Sequence, residues 1–149
     1  MTFFEELWAN RILLCAVSAY FVAQLIKMLI ALKLEKKINW RLLIFGMGGM
    51  PSSHTSFVVA LALMTGIREG FATTAFALAF ALSAIVITDA MGVRAETGKQ
   101  GAVLNQILRE FLLGGKPITE EKLKELVGHS PLEVLGGILV GTIMVIIMA

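Results

Sequence analysis

The sequence predicts an all-α integral membrane protein: a bundle of three or four transmembrane helices with a broken or re-entrant segment and a cytoplasmic amphipathic helical loop. Three observations lead there. Of 149 residues, 57% are hydrophobic and only 16% charged, against roughly 25% charged in an ordinary soluble domain, and the mean hydropathy is +0.82. The apolar residues are gathered into runs of membrane-spanning length. The basic residues collect in two of the segments between those runs. Such a chain is no disordered tail. As a soluble domain it would have too few charges to cover its surface. A net charge of +2 is too mild to argue for a nucleic-acid partner, so membrane lipid is the expected one. Cys15 is the sole cysteine, which excludes an intrachain disulfide.

The chain reads as one domain, 1–149. Its first span is 12–32, interrupted by Gln24 and Lys27. Glu5 and Glu6 precede it where a signal peptide would carry basic residues. The second run, Phe57–Ile67, is too short alone. It reaches spanning length, as 42–67, only by extending back through His54 and Pro51 to Leu42. Gly46, Gly48, Gly49 and Pro51 mark that extension as broken or re-entrant, a backbone tolerated at membrane depth only around an enclosed or watery cavity. The third run, 71–88, is clean, and the fourth is 132–149. In the fourth, Gly137 and Gly141 are spaced for close helix packing, within the chain or between copies in a homo-oligomer.

Between the third and fourth runs, Val103, Leu104, Ile107, Leu108, Phe111 and Leu112 recur at helical spacing. They predict an amphipathic helix over 98–113, with Thr97 and Gln100 placed as a capping box and Gly114–Gly115 as its end. Thr119 then caps a short helix, 119–127, whose first turn holds Glu120 and Glu121.

Lys33, Lys36, Lys37 and Arg41 follow the first span. Arg94, Lys99, Arg109, Lys116, Lys122 and Lys124 precede the fourth. The positive-inside rule puts both groups in the cytoplasm, with the Arg68 turn outside. The expected location is a bacterial plasma membrane, crossed several times. A cysteine at Lys99 should resist an impermeant thiol reagent applied outside, and one at Glu69 should react. Labelling at Lys99 from outside would reverse the orientation.

Ionisable residues inside or at the edges of apolar segments are the ones that point to function. Here they are Lys27, His54, Asp89, Arg94, His129 and Glu133, and the expected topology brings all six toward the cytoplasmic side. In Gly48-Gly49-Met50-Pro51-Ser52-Ser53-His54-Thr55 a Gly-rich loop leads into a helix start. Backbone N–H groups there favour an anion, Ser hydroxyls add donors, and His54 can exchange a proton near neutral pH. Pro and Ser also start many helices that bind nothing. In Gly128-His129-Ser130-Pro131-Leu132-Glu133 the Ser130–Glu133 spacing is that of a capping box, and it equally lets Glu133 orient the His129 imidazole as a nucleophile or base. Arg94 can clamp a phosphate bidentately or anchor the chain among headgroups. Lys27 can snorkel to the interface.

Together these motifs resemble the divergent branch of the type 2 phosphatidic acid phosphatase and vanadium haloperoxidase superfamily, small bacterial and plant membrane proteins. Pro51-Ser52-Ser53-His54 is similar to the superfamily's Pro-Ser-Gly-His motif. His129 followed by Glu133 is similar to its third motif, where Asp stands four residues after the His. Asp89–Arg94, Gln100, Asn105 and Gly128–Val134 extend the likeness over most of the chain. The resemblance implies hydrolysis of a lipid phosphate or diphosphate through a phosphohistidine, without metal or other cofactor. His129 would be the nucleophile, Glu133 its orienting carboxylate and His54 the general acid. Ser53, Arg94 and Lys27 would hold the phosphate. The superfamily's first motif, Lys followed by Arg-Pro, is absent, as is the Ser-Arg before its third-motif His. The alternative is a non-catalytic protein that binds lipid phosphate, or a small transporter or assembly subunit. A metal site of His54, His129, Glu133 and Asp89 would have enough ligands but lacks the tight spacing of known motifs.

Overall fold

The structure, a computed structural model, describes residues 2–35, 49–92 and 130–149, together with 100, 101, 103–105 and 107. Five helices account for most of them: α1 (Phe3–Ala9), α2 (Arg11–Glu35), α3 (Ser53–Glu69), α4 (Thr74–Met91) and α5 (Pro131–Met148). Their starts follow local chemistry. Thr2, Ser52, Thr73 and Ser130 each accept a hydrogen bond from a backbone N–H in the first turn of the helix that follows, which satisfies one of the donors a helix start leaves open. Ser130 and Glu133 close the capping box in both directions, with Pro131 opening the helix.

Three described helices are long and apolar enough to cross a bilayer: Arg11–Lys33 within α2, α4, and α5. The protein is thus an all-helical, multi-pass membrane protein. The 17 residues of α3 rise about 25 Å, a little less than the ≈ 30 Å hydrocarbon layer. Yet α3 is the hub, because α2, α4 and α5 all pack on it. At one end of the bundle Arg68 donates to the Ala149 carbonyl at 3.1 Å, and Asn10, Arg11 and Glu69 border the same hollow as Arg68. At the other end the Ser52 N–H donates to the Glu133 carbonyl at 2.9 Å. The N-terminus, the Arg68 turn and the end of α5 therefore share one level, and the start of α3 shares the other with the start of α5.

Burial without water to exclude must come from close packing, so small residues dominate the contacts. On α2, Cys15, Ala16, Ala19 and Ala23 are fully buried. Cys15 and Ala19 join Ala60, Met64 and Val145 in one core cluster. On α5, Gly136, Gly137 and Gly141 lie flush against the start of α3. A side-chain carbon at Gly137 would stand 2.6 Å from the Ser52 carbonyl and 2.7 Å from Thr55 Cβ; one at Gly141 would stand 2.7 Å from the Ser56 carbonyl. That glycine face is therefore occupied by α3 of the same chain. Ser83 of α4 donates to the Val58 carbonyl at 2.8 Å, a polar tie between helices. Large apolar side chains such as Leu78, Ile85 and Ile146 point outward, as a lipid-facing surface requires.

Residues 100–107 are helical where described. There Gly101 and Asn105 are buried, while Val103, Leu104 and Ile107 are exposed. The described part of the apolar stripe, Val103, Leu104 and Ile107, thus faces away from the protein body. The rest of the expected 98–113 helix, the 119–127 helix and the stretch 42–48 lie outside the described residues.

Candidate functional site

The site is built where α2, α3 and α5 meet, at the end opposite Arg68. Gly49, with φ +84°, adopts the left-handed conformation that glycine accepts most readily and turns the chain toward α3. Over it lies the stem of Lys27, whose Cγ and Cδ are 3.6 Å from where a Gly49 Cβ would stand. Lys27 is 5% exposed, so it does not snorkel out to water. It lies within electrostatic reach of Glu133 in the first turn of α5. The Ser52 N–H bond to the Glu133 carbonyl ties the start of α3 to the same turn of α5.

The two serines of the Pro-Ser-Ser-His run divide their duties. Ser52 is structural: its hydroxyl accepts from the Thr55 N–H at 3.3 Å and from Thr55 Oγ1 at 2.9 Å. Ser53 is the chemically open one. It is 1% exposed, and its Oγ meets no hydrogen-bond partner among the described residues. A buried hydroxyl left so costs about 1–3 kcal/mol, and it stands in the first turn of a helix whose dipole favours an anion. His54, one residue on, is half-buried. Its ring meets that of Tyr20 edge-on, with centroids 6.2 Å apart.

Tyr20 and Gln24 are site residues that the sequence reading passes over. Gln24 is 1% exposed; its Nε2 donates to the Tyr20 hydroxyl at 3.2 Å, and its Oε1 has no partner among the described residues. Tyr20, Gln24 and Lys27 fall at helical spacing on one face of α2. That spacing was the available signal, because a buried amide in an apolar run is costly unless it is used. Val86 borders the same cleft as His54, so the last turns of α4, which carry Asp89, reach this end too.

Glu133 already has work. Its Oε2 accepts from the Ser130 N–H at 3.1 Å, closing the capping box, in addition to its charge interaction with Lys27. His129 and Arg94 lie outside the described residues. Lys27, Ser53, His54 and Glu133 are the expected site residues whose surroundings are described. Among the described residues no three His, Cys, Asp or Glu side chains are grouped to hold a metal ion.

A family model described as "Divergent PAP2 family" matches residues 8–144. The chain is 34% identical to an uncharacterized membrane protein, YuiD, of Bacillus subtilis (strain 168), with 97% of each chain covered. No solved structure matches.

Proposed function

The chain belongs to the divergent PAP2 family, and on that footing we propose that it is a membrane-embedded hydrolase of a lipid phosphate or diphosphate. One observation carries the reading. A lysine, a serine hydroxyl without a described partner and a histidine converge with the start of α5 at one end of an otherwise apolar bundle. A phosphate group attached to a lipid reaches such a site while its tail stays in the bilayer.

In this reading the His129 imidazole attacks phosphorus and the bond to the leaving oxygen breaks. His54 gives that oxygen its proton, and water then cleaves the phosphohistidine. Lys27 and Arg94 balance the phosphoryl charge, while Ser53 Oγ and the first-turn amides of α3 donate to its oxygens. Glu133 orients His129 from the opening turn of α5. The cytoplasmic face is the proposed side, from the distribution of Lys and Arg.

The second reading is a lipid-phosphate binder without turnover. The capping contact of Glu133 favours it, since a carboxylate already accepting from the Ser130 N–H has less freedom to serve an imidazole.

Purified protein in detergent, given phosphatidic acid and a lipid diphosphate, should release phosphate with or without a chelator. Absence of release from both substrates would leave the binder. Glu133→Gln refines the test. Gln preserves the capping box but not the charge. An orienting Glu133 predicts turnover reduced at least about a hundredfold, on top of the stability loss expected when the charge beside buried Lys27 is removed. A purely structural Glu133 predicts that stability loss with little change in the turnover of the folded protein.

A further inference from the structure

α2 and α4 both pack on α3 but make no substantial contact with each other. The face of α3 between them is left as the floor of a furrow. On that face lie His54, Phe57 and Val58, then Leu61, Thr65 and Glu69, which follow one another at helical spacing along a single stripe. The walls are stripes of the same kind. Val17, Tyr20 and Phe21 of α2 face Val86 of α4 near His54, around a space of ≈ 360 Å³. Leu13 of α2 faces Leu78 and Leu82 of α4 farther along, around ≈ 420 Å³. Phe21, Leu78 and Leu82 are 52%, 67% and 44% exposed, so the furrow opens sideways onto the lipid-facing surface.

Its polar side chains are concentrated at the two ends. Toward the Arg68 end, Thr65 Oγ1 is turned back to the Leu61 carbonyl at 2.7 Å, and Asn10 Oδ1 accepts from the Leu13 N–H at 3.0 Å. Between Phe57 and Leu61 the floor is apolar. From His54 to Glu69 the furrow runs about 22 Å along α3, whereas one leaflet's hydrocarbon is about 15 Å deep.

We infer that this furrow seats a single hydrocarbon chain of the phosphate-bearing lipid, with the phosphate end at His54 and a chain longer than one leaflet running toward Glu69. The inference rests on the hydrolase reading for the nature of the lipid, and it deepens that reading to a substrate class of long-chain lipid phosphates. The occupant follows from position. The furrow is continuous with the bilayer-facing surface, offers hydrocarbon packing along its length, and ends at a histidine placed for a phosphate ester. Moving a chain from bilayer to furrow exchanges one apolar medium for another, so the gain comes from packing and not from dehydration. The effect on affinity is therefore a few-fold, and the location of the chain is the sharper readout.

Full-length protein in phosphatidylcholine nanodiscs is photolabelled with polyprenyl phosphates carrying a diazirine either close to the phosphate or at the chain's far end. The near probe should label Phe57, Val58 or Val86, and the far probe Leu61, Leu78 or Leu82. Unlabelled polyprenyl phosphate should compete, although the phosphatidylcholine of the disc is in large excess. Leu82→Trp should abolish far-end labelling in the furrow and weaken binding of a long chain about threefold relative to a short one. Leu78→Trp, at a more exposed position, repeats the test should Leu82→Trp fold poorly. Far-end labels spread over outward residues such as Ile143 and Ile146, or furrow labelling that unlabelled polyprenyl phosphate does not reduce, would overturn the inference. The labelling pattern does not depend on turnover. Furrow labelling without phosphate release would defeat the hydrolase reading alone, and phosphate release with labels elsewhere would defeat the furrow alone.

Discussion

His129→Ala should reduce phosphate release from a lipid phosphate by about a thousandfold or more, the loss expected when a covalent nucleophile is removed. The reason is specific to the proposed chemistry. If water attacked phosphorus directly, an imidazole in the role of base could be replaced in part by solvent or buffer. If the imidazole itself forms the bond, its removal deletes the intermediate and the two-step route with it. Thermal unfolding of the variant in detergent is the control, and a midpoint near that of the wild type assigns the loss to chemistry. His54→Ala behaves differently. It removes the proton destined for the leaving oxygen, so turnover of an alkyl phosphate should fall steeply, while an ester with a good leaving group should still phosphorylate the enzyme. Equal losses on both esters would remove His54 from the acid role.

Gly137→Leu should have the largest effect on folding. The new Cβ would fall 2.6 Å from a backbone carbonyl and 2.7 Å from a side-chain carbon, both in the first turn region of α3. Neither obstacle is the free end of a flexible side chain, so the helices must separate. Overpacking a core usually costs about 1–3 kcal/mol, and parting α5 from α3 also strains the bond between the Ser52 N–H and the Glu133 carbonyl. We expect the unfolding midpoint in detergent to drop by several degrees or the folded fraction to disappear, with lipid-phosphate binding lost in parallel, because Ser53 and His54 ride on the displaced turn. Ile146→Ala, at a residue 75% exposed, should leave the midpoint almost unchanged. An unshifted midpoint for Gly137→Leu would mean that α3 and α5 do not pack as described.

These two substitutions also mark what the sequence made legible. The apolar runs announce a helical membrane protein because the bilayer demands length and hydrophobicity together. The Ser130–Glu133 box and the Ser52 cap are local, so spacing alone foretells them. The approach of Lys27, Ser53, His54 and Glu133 to one end follows from alternating helix direction, which the basic segments reveal. Other features depend on which helix packs on which, and no periodicity encodes that. Lys27 could have snorkelled; instead its stem packs over the Gly49 turn and the side chain is buried. Gln24 reads as a flaw in an apolar run until Tyr20 is found beside it. The short run at Phe57–Ile67 looks too weak to stand as a span, yet its small residues make α3 the helix on which the others pack. The furrow exists because α2 and α4 share that helix without meeting.

The central claim, covalent hydrolysis of a lipid phosphate at His129, is tested most directly by trapping the intermediate. Purified protein is mixed with lipid phosphate labelled with ³²P at phosphorus, quenched with alkali within the first turnover, digested and mapped. An acid-labile, alkali-stable label is expected on the His129 peptide. It should appear in the wild type before free phosphate and be absent from His129→Ala. Phosphate release with no protein-bound label at any quench time, or a label that persists in His129→Ala, would contradict it.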